Sequence, residues 1–258
     1  MSAAASWILR SEPRGAARLR LFCFHYAGGA ASSYRRWAAE LPPQIEVCAI
    51  QLPGRGSRFH EAPCHRSSDV VPPVATALQP LLDLPFALVG HSLGALIAFE
   101  LAREFRRRSW PMPARLAVSG REAPHVPDRH PPMAPLPDAE FLEEIRKRYD
   151  GVPDAVLAEK DLLQVVLPML RADVHLLESY VYEEEPPLEC GISCFGGEQD
   201  RYVAREGLEA WREQTRGPFR LRTFRGGHFF VESQRSAILR GLQEDLGPWT
   251  SDGQRERA

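Results

Sequence analysis

Six short apolar runs, each bounded by turn residues, recur along the chain and constrain its fold more than any other feature. They span residues 19–26, 45–52, 85–90, 114–120, 190–197 and 219–224. Runs that are apolar on both faces predict buried strands of a mostly parallel sheet. The helix candidates between them span residues 33–40, 68–82, 93–108, 205–214 and 233–246. This alternation predicts a three-layer α/β fold with helices flanking the central sheet.

The interval from about residue 122 to 187 interrupts this alternation. It opens with the proline-rich stretch APHVPDRHPPMAPLPD and continues with helix candidates at residues 139–148 and 162–182. Because it lacks a strand pattern, we expect a helical insertion that sits on the sheet as a lid, with a purely structural excursion as the alternative. The 258 residues fit a single α/β domain, and the polar tail at about 250–258 is expected to be frayed.

The stretch LVGHSLGAL contains a G-x-S-x-G pattern centred on Ser92. A strand candidate precedes the serine and a helix candidate follows it, which predicts the strand, sharp turn and helix of a nucleophile elbow. Glycines at positions 90 and 94 suit such a turn, because strand and helix approach too closely there for a Cβ. Ser92 is the candidate nucleophile of an α/β-hydrolase fold, and a surface serine in a glycine turn is the alternative.

A serine nucleophile needs a general base, and the base is oriented by an acid. In α/β-hydrolases the acid and then the histidine follow the serine along the chain, so only groups after Ser92 qualify. His228, on a glycine-flanked loop after the last strand candidate, is the predicted base. Asp200, in the glycine-led loop of CFGGEQD, is the predicted acid, with Glu122 as runner-up and Glu198 as a more distant candidate.

Hydrolysis also requires backbone N–H groups that hold the oxyanion of the tetrahedral intermediate. Leu93 follows the nucleophile at the start of a helix, where the helix dipole favours negative charge. The second group is expected in the paired-glycine loop of FHYAGGAASS, which follows the strand candidate at 19–26. Ala27 is the predicted donor in that loop.

Charge and cysteine content exclude several other classes of protein. The net charge is −2 with acids and bases mixed along the chain, which gives no basic field for nucleic acid or an anionic membrane. No stretch approaches the ~18 apolar residues of a membrane span, and the N-terminal sequence lacks a signal-peptide pattern. The five cysteines have no C-x-x-C spacing, so neither a zinc site nor a disulfide framework is predicted. We expect a cytoplasmic protein without metal or other cofactor.

The chain resembles the type II thioesterases that accompany nonribosomal peptide and polyketide synthases, and the related thioesterase II of fatty-acid synthesis. The resemblance runs from about residue 18 to 246 and rests on seven motifs in order: FCFHYAGGAASSYRRW, VCAIQLPGRGSRFHE, FALVGHSLGALIAFELAR, LAVSGREAP, VLPMLRADVHLLESYVY, CFGGEQD and GGHFFV. It implies hydrolysis of acyl thioesters, often short or aberrant, from the phosphopantetheine arm of an acyl or peptidyl carrier protein. It also implies that the three predicted catalytic residues form the family triad and that the insertion is the family's helical lid.

Several further positions carry their own predictions. His25 stands where the family commonly has proline, which places a titratable ring beside the oxyanion loop. Met169 and Tyr180 are candidates to line an acyl pocket, and Pro168 predicts a kink or break in the same helix. Four arginines complement a helix dipole or, alternatively, form a docking patch for an acidic carrier protein; they are Arg103, Arg106, Arg107 and Arg108.

The triad alone does not determine the substrate, because the same three residues cleave esters, lipids and amides. A carboxylesterase, or a medium-chain fatty acyl thioesterase acting on other small acyl substrates, is therefore the alternative enzyme. A catalytically silent module that binds carrier proteins is a third reading, which an intact triad disfavours. We expect a monomer that acts on a small acyl thioester presented by a carrier domain.

Overall fold

A computed structural model describes residues 7–10, 15–149 and 160–250, apart from the side chains of residues 160–162. Its centre is a seven-stranded sheet in the order β1-β3-β2-β4-β5-β6-β7. Strand β1 is antiparallel to β3, and every other pairing is parallel. The strands are β1 (Ile8–Arg10), β2 (Leu19–Phe24), β3 (Ile45–Ile50), β4 (Phe86–His91), β5 (Arg115–Ser119), β6 (Gly191–Gly197) and β7 (Phe219–Phe224). The predicted α/β-hydrolase fold, with a mostly parallel sheet, is confirmed.

Helices occupy the segments between these strands. They are α1 (Arg35–Glu40), α2 (Ser67–Leu78), α3 (Leu93–Arg107), α4 (Asp138–Tyr149), α5 (Lys160–Glu178), α6 (Arg205–Glu209), α7 (Phe230–Ser233) and α8 (Arg235–Thr250). Four predicted helices differ in detail, one of them the helix predicted at 68–82, which continues after α2 as a 3-10 turn at Gln79–Leu81. The helix predicted at 33–40 starts as a 3-10 turn, the one at 205–214 continues as a 3-10 turn after α6, and the one at 233–246 divides into α7 and α8.

The core lies in two layers because successive strand residues point to opposite faces of the sheet. On one face Phe22 and Leu88 pack in a cluster with residues of α2 and α3. On the other face Leu21 and Val89 pack in a cluster with residues of α1 and α8, including Trp37. Since both faces are covered, β2 to β5 are buried along their whole length. This explains why the sequence shows continuous apolar runs rather than alternation.

The insertion forms a separate small cluster above the sheet. In its described part, which leaves out residues 150–159, the secondary structure is helical and consists of α4 and α5. Phe141 of α4 packs against Leu170 and Val174 of α5, and Ala27 from the body packs against this cluster. The helix α5 continues through Pro168, so it does not break there, and the alternative of a kink stays a prediction.

The carboxyl ends of the parallel strands meet at one edge of the sheet, where α/β folds place their ligands. The loops after β2, β4, β5, β6 and β7 therefore converge there. Among the predicted site residues they carry Ala27, Ser92, Asp200 and His228. Residues 251–258 of the predicted frayed tail lie outside the described residues, and Thr250 is the last residue of α8.

Candidate active site

Ser92 occupies a strained turn between β4 and α3. Its backbone has φ 53° and ψ −111°, a conformation that a residue with a side chain rarely adopts. A Cβ added at Gly90 would lie 2.0 Å from the carbonyl oxygen of Gly94, and one at Gly94 would lie 2.0 Å from that of Phe24. The Ser92 N–H donates to the Ser119 carbonyl at 2.8 Å, which holds the turn against β5. The predicted elbow geometry is confirmed, and both glycines are required by the close approach of strand and helix.

His228 and Asp200 form a buried pair beside this turn. Nδ1 of His228 lies 2.8 Å from Oδ2 of Asp200, and the side chains are 3% and 1% exposed. An ionised carboxylate can only accept, so Nδ1 carries the proton and Nε2 keeps a free lone pair. The other oxygen of Asp200 accepts the N–H groups of Tyr202 at 3.0 Å and Val203 at 3.2 Å, which fixes the carboxylate. This is the geometry of a general base oriented by an acid.

The two alternative acids, Glu122 and Glu198, have no described contact with the base. Oε1 of Glu122 accepts the N–H of Ala204 at 2.8 Å, at the residue before α6, and lies 3.8 Å from Arg129. The backbone N–H of Glu198 donates to the carbonyl of Phe224. Among the contacts that the structure describes for these two glutamates, none involves His228. Asp200 is therefore the acid that the geometry favours.

Two backbone N–H groups near Ser92 are free to bind an oxyanion. Leu93 is the first residue of the 15-residue helix α3, so its N–H has no partner within the helix. Ala27 lies in the paired-glycine loop that follows β2, residues 25–30, which is the predicted oxyanion loop. Within the described ranges of the chain, neither the Ala27 nor the Leu93 N–H donates to a protein acceptor. Free donors of this kind could stabilise a tetrahedral intermediate.

His25, where the family commonly has proline, is a neutral ring in this environment. The residue is 2% exposed, and Nδ1 lies 2.9 Å from the carbonyl oxygen of Tyr26, so Nδ1 is the protonated nitrogen. Burial, together with the positive charge of Arg55, lowers the pKa of His25 to about 4, while the negative charge of Asp173 acts in the opposite direction. Nε2 has no hydrogen-bond partner among the described residues. The ring therefore adds no charge beside the oxyanion loop at neutral pH.

We expect His25 to make folding stability depend on pH. Because the unfolded state binds the proton near pH 6.5 and the folded state only near pH 4, stability is full above the first value and falls as pH drops. When the pH is lowered from about 7.5 to about 4.5, the free energy of unfolding should fall by about 2 to 3 kcal/mol more in the wild type than in His25→Gln. Urea denaturation at both pH values measures this difference. Equal losses in the two proteins would show that His25 is not the group responsible.

A cavity of about 250 Å³ opens beside Ser92. Asp200 also lines it, and the rest of its wall comes from two loops, at 120–130 after β5 and at 201–204 after β6. Met169 and Tyr180, the predicted acyl-pocket residues, are not among the described residues of this wall, and their role stays a prediction. Met169 is buried, and the Tyr180 hydroxyl donates to Glu100 at 2.7 Å. The wall residues do follow strand ends, a signal that sequence reasoning used only for the triad.

Two tyrosines that sequence reasoning missed cover the imidazole of His228. The Tyr149 ring, at the end of α4, lies 4.7 Å from the His228 ring and 4.6 Å from the Tyr202 ring. The Tyr202 hydroxyl donates to Asp128 at 2.7 Å, and the Tyr202 ring stacks on His130 at 4.7 Å. The insertion thus contributes an aromatic side chain that shields the base from water.

Arg121 places a guanidinium group at the wall of the same cavity. Its Nε is buried without a hydrogen-bond partner, and no ion pair of Arg121 occurs among residues 7–10, 15–149 and 160–250. Two further arginines, Arg129 and Arg201, also line the cavity, together with three carboxylates, those of Glu122, Asp128 and Asp200. Burying an N–H group without an acceptor is unfavourable. An oxygen atom of a ligand that accepts from Arg121 would remove this cost, so Arg121 is a candidate ligand-binding group.

The arginines at the end of α3 form an internal ion network. Arg103 and Arg106 pair with Glu185 at 2.7 and 2.5 Å, and Arg107 and Arg108 pair with Glu104 at 2.8 and 2.7 Å. Glu185 lies at the end of the insertion, so the network ties α3 to the chain segment leading into β6. These contacts give the four arginines structural partners, and a docking patch for a carrier protein stays a prediction.

The described residues contain neither a helix long and apolar enough to cross a membrane nor a group of three or more His, Cys, Asp and Glu side chains suited to a metal ion. The five cysteines are free, and four of them are buried.

Known proteins resemble this chain along most of its length. The family model described as "Thioesterase domain" matches residues 19–246. The gramicidin S biosynthesis protein GrsT of Aneurinibacillus migulanus is 43% identical over 240 residues, which cover 93% of each chain. Thioesterase PikA5 of Streptomyces venezuelae is 38% identical and matches 93% of this chain and 85% of its own. The solved structure of RedJ, a thioesterase of the prodiginine biosynthetic pathway in Streptomyces coelicolor, has a TM-score of 0.85 and 39% identity, covering 92% of this chain and 94% of its own.

Proposed function

This chain belongs to the thioesterase domain family and is a thioester hydrolase, and on that premise we propose that it releases acyl groups from the phosphopantetheine arm of carrier proteins. The observation that carries the proposal is the strained Ser92 at a cavity beside the buried His228–Asp200 pair. The relatives support the choice of substrate, since one is named for gramicidin S biosynthesis and another is a thioesterase of the prodiginine biosynthetic pathway. The proposed role is the removal of short or aberrant acyl groups that block a synthase.

Acylation begins with the free lone pair of His228 Nε2. It takes the proton of the Ser92 hydroxyl while the serine oxygen attacks the thioester carbonyl carbon. The carbonyl oxygen becomes an oxyanion, which the N–H groups of Leu93 and Ala27 stabilise. The C–S bond then breaks, the pantetheine sulfur takes the proton from His228, and the acyl group remains on Ser92 as an ester.

Deacylation repeats these steps with water as the nucleophile. His228 takes a proton from the water as it attacks the ester, and it returns that proton to the Ser92 oxygen when the carboxylic acid leaves. The Asp200 carboxylate stabilises the imidazolium that forms in both halves of the reaction. Each step uses only groups of this chain, the substrate and water.

The cavity beside Ser92 favours a short acyl group. Its volume of about 250 Å³ lies below the range of roughly 300 to 1,000 Å³ that holds drug-sized ligands. The guanidinium of Arg121 at its wall, whose Nε has no partner among the described residues, provides hydrogen-bond donors for an oxygen of the acyl group or of the pantetheine arm. We propose that these two features select short, oxygen-bearing portions of the substrate.

Rates on two substrates with the same short acyl group distinguish this proposal from a carboxylesterase. We expect kcat/KM on an acyl-phosphopantetheinyl carrier protein to exceed that on the p-nitrophenyl ester by at least about 10-fold, because binding energy from the arm and carrier is used in the transition state. Release of the acid is followed with both substrates, and Ser92→Ala provides the blank. A higher kcat/KM on the free ester would favour the carboxylesterase alternative.

A further inference from the structure

We propose that Asp173, a residue of the insertion, positions the oxyanion loop through a buried ion pair with Arg55. This inference rests on the proposed function, because it takes the Ala27 N–H as an oxyanion donor. Asp173 and Arg55 belong to segments far apart in the sequence: α5 and the loop that follows β3. The structure brings both of them against the residues that follow Ala27.

Hydrogen bonds from Asp173 and Arg55 hold the loop at two neighbouring residues, Gly28 and Gly29. Oδ2 of Asp173 accepts the N–H of Gly28 at 2.8 Å and a donor of Arg55 at 2.5 Å, and Oδ1 accepts a second Arg55 donor at 2.7 Å. Nη1 of Arg55 also donates to the carbonyl of Gly29 at 3.3 Å. The side chains of Arg55 and Asp173 are only 4% and 1% exposed. The carboxylate thus fixes an N–H adjacent to Ala27, and the guanidinium fixes the carbonyl that follows.

The loop needs such an anchor because its backbone is intrinsically permissive. Gly28 has φ +77°, and a Cβ there would lie 3.1 Å from a methyl carbon of Leu170 of α5. Besides the Asp173 contact, the turn has a Gly29 N–H to Tyr26 carbonyl bond at 2.9 Å. A small displacement of a catalytic donor, about 1 Å, can cost roughly 10²-fold in rate. Holding Gly28 in place is therefore a catalytic requirement as well as a packing one.

Stability alone does not account for a buried ion pair at this position. Removing two charges from water costs several kcal/mol per ion, and well-packed apolar residues often stabilise a protein as well or better. A bidentate arginine–carboxylate pair adds fixed geometry, which an apolar pair does not provide. Because Asp173 belongs to α5, this geometry also makes the oxyanion loop depend on how the insertion is seated on the body.

Asp173→Asn tests the positioning role, with Glu178→Gln as a matched control. Glu178 lies on the same helix and likewise accepts two backbone N–H groups, those of Met133 at 2.7 Å and Ala134 at 3.0 Å, within the insertion. We expect Asp173→Asn to lower kcat by on the order of 10- to 100-fold with KM near the wild-type value, because the lost interaction acts in the transition state. Glu178→Gln should keep kcat within about 3-fold of wild type, since its contacts do not reach the oxyanion loop.

Affinity for an alkyl boronic acid gives a second readout that a purely structural role would not change. Boronates form a tetrahedral adduct with the nucleophilic serine, so their affinity should fall by the same factor as kcat in Asp173→Asn. If the single variant does not fold, kcat and boronate affinity are measured on the double variant Arg55→Gln/Asp173→Asn, which lacks both charges. Wild-type kcat and boronate affinity in a folded variant would overturn the positioning role. That result differs from failure of the proposed function, in which Ser92→Ala would stay active.

Discussion

Ser92→Ala should lower kcat for hydrolysis of an acyl-carrier thioester by on the order of 10⁶-fold, leaving only the background that the oxyanion donors and binding provide. Without the hydroxyl no acyl-enzyme can form, and the water that would replace the serine lacks its fixed position. The measurement is single-turnover release of the acid from a loaded carrier protein. Substrate affinity should be nearly unchanged, because the methyl side chain removes no group that binds the acyl chain.

Ser119→Ala is the matched control for this result. Ser119 lies on the neighbouring strand β5, and its hydroxyl contacts Nδ1 of His91 at 2.9 Å, next to the nucleophile. Its backbone carbonyl, which holds the Ser92 N–H, is kept in the variant. We expect kcat within about 10-fold of wild type, as for the loss of one hydrogen bond. A comparable loss in both variants would mean that local structure, rather than a nucleophile, had been removed.

Asp200→Asn should lower kcat by on the order of 10⁴-fold while the protein remains folded. The amide cannot stabilise an imidazolium as a carboxylate does, and its NH₂ group can orient His228 with the proton on the wrong nitrogen. The backbone N–H groups of Tyr202 and Val203, which donate to Asp200, can still donate to the amide oxygen of the variant. Steady-state kinetics on an acyl-carrier substrate, with thermal unfolding in parallel, measures the effect.

Glu122→Gln separates the two candidate acids. Glu122 lines the same cavity, but its carboxylate accepts the N–H of Ala204 instead of contacting His228. An amide oxygen can keep that hydrogen bond, so we expect a change in kcat of less than about 10-fold. A larger loss in Glu122→Gln than in Asp200→Asn would transfer the role of the acid to Glu122.

The sequence predicted those elements that local pattern determines. Strands β2 to β6 are continuous apolar runs because both faces of the sheet are covered, and the elbow is visible because Gly90 and Gly94 avoid a direct backbone clash. Strand β1 was missed because three residues at an edge carry no periodicity, and two of them are exposed. The pattern of apolar runs was therefore enough to predict the fold. The candidate triad was predicted from the chain order that α/β-hydrolases share.

Contacts between distant segments could not be predicted in this way. Asp173 follows Arg55 by 118 residues, and no local pattern links a carboxylate on α5 to the loop after β3. The arginines at the end of α3 illustrate the same limit, since Glu185, a partner of three of them, lies at the far end of the insertion. Tyr149, which covers His228, belongs to a helix whose position on the body depends on packing with Phe141 and its neighbours.

The most direct test of the central claim is to find the acyl group on Ser92 during turnover. Wild-type enzyme is mixed with a carrier protein loaded with a short acyl group, quenched in acid within one turnover and analysed by mass spectrometry after proteolysis. If Ser92 is the nucleophile, the peptide that contains it gains the mass of the acyl group. The same peptide from Ser92→Ala shows no such gain. Turnover without an adduct on that peptide, or with an adduct on a different residue, would contradict this role of Ser92.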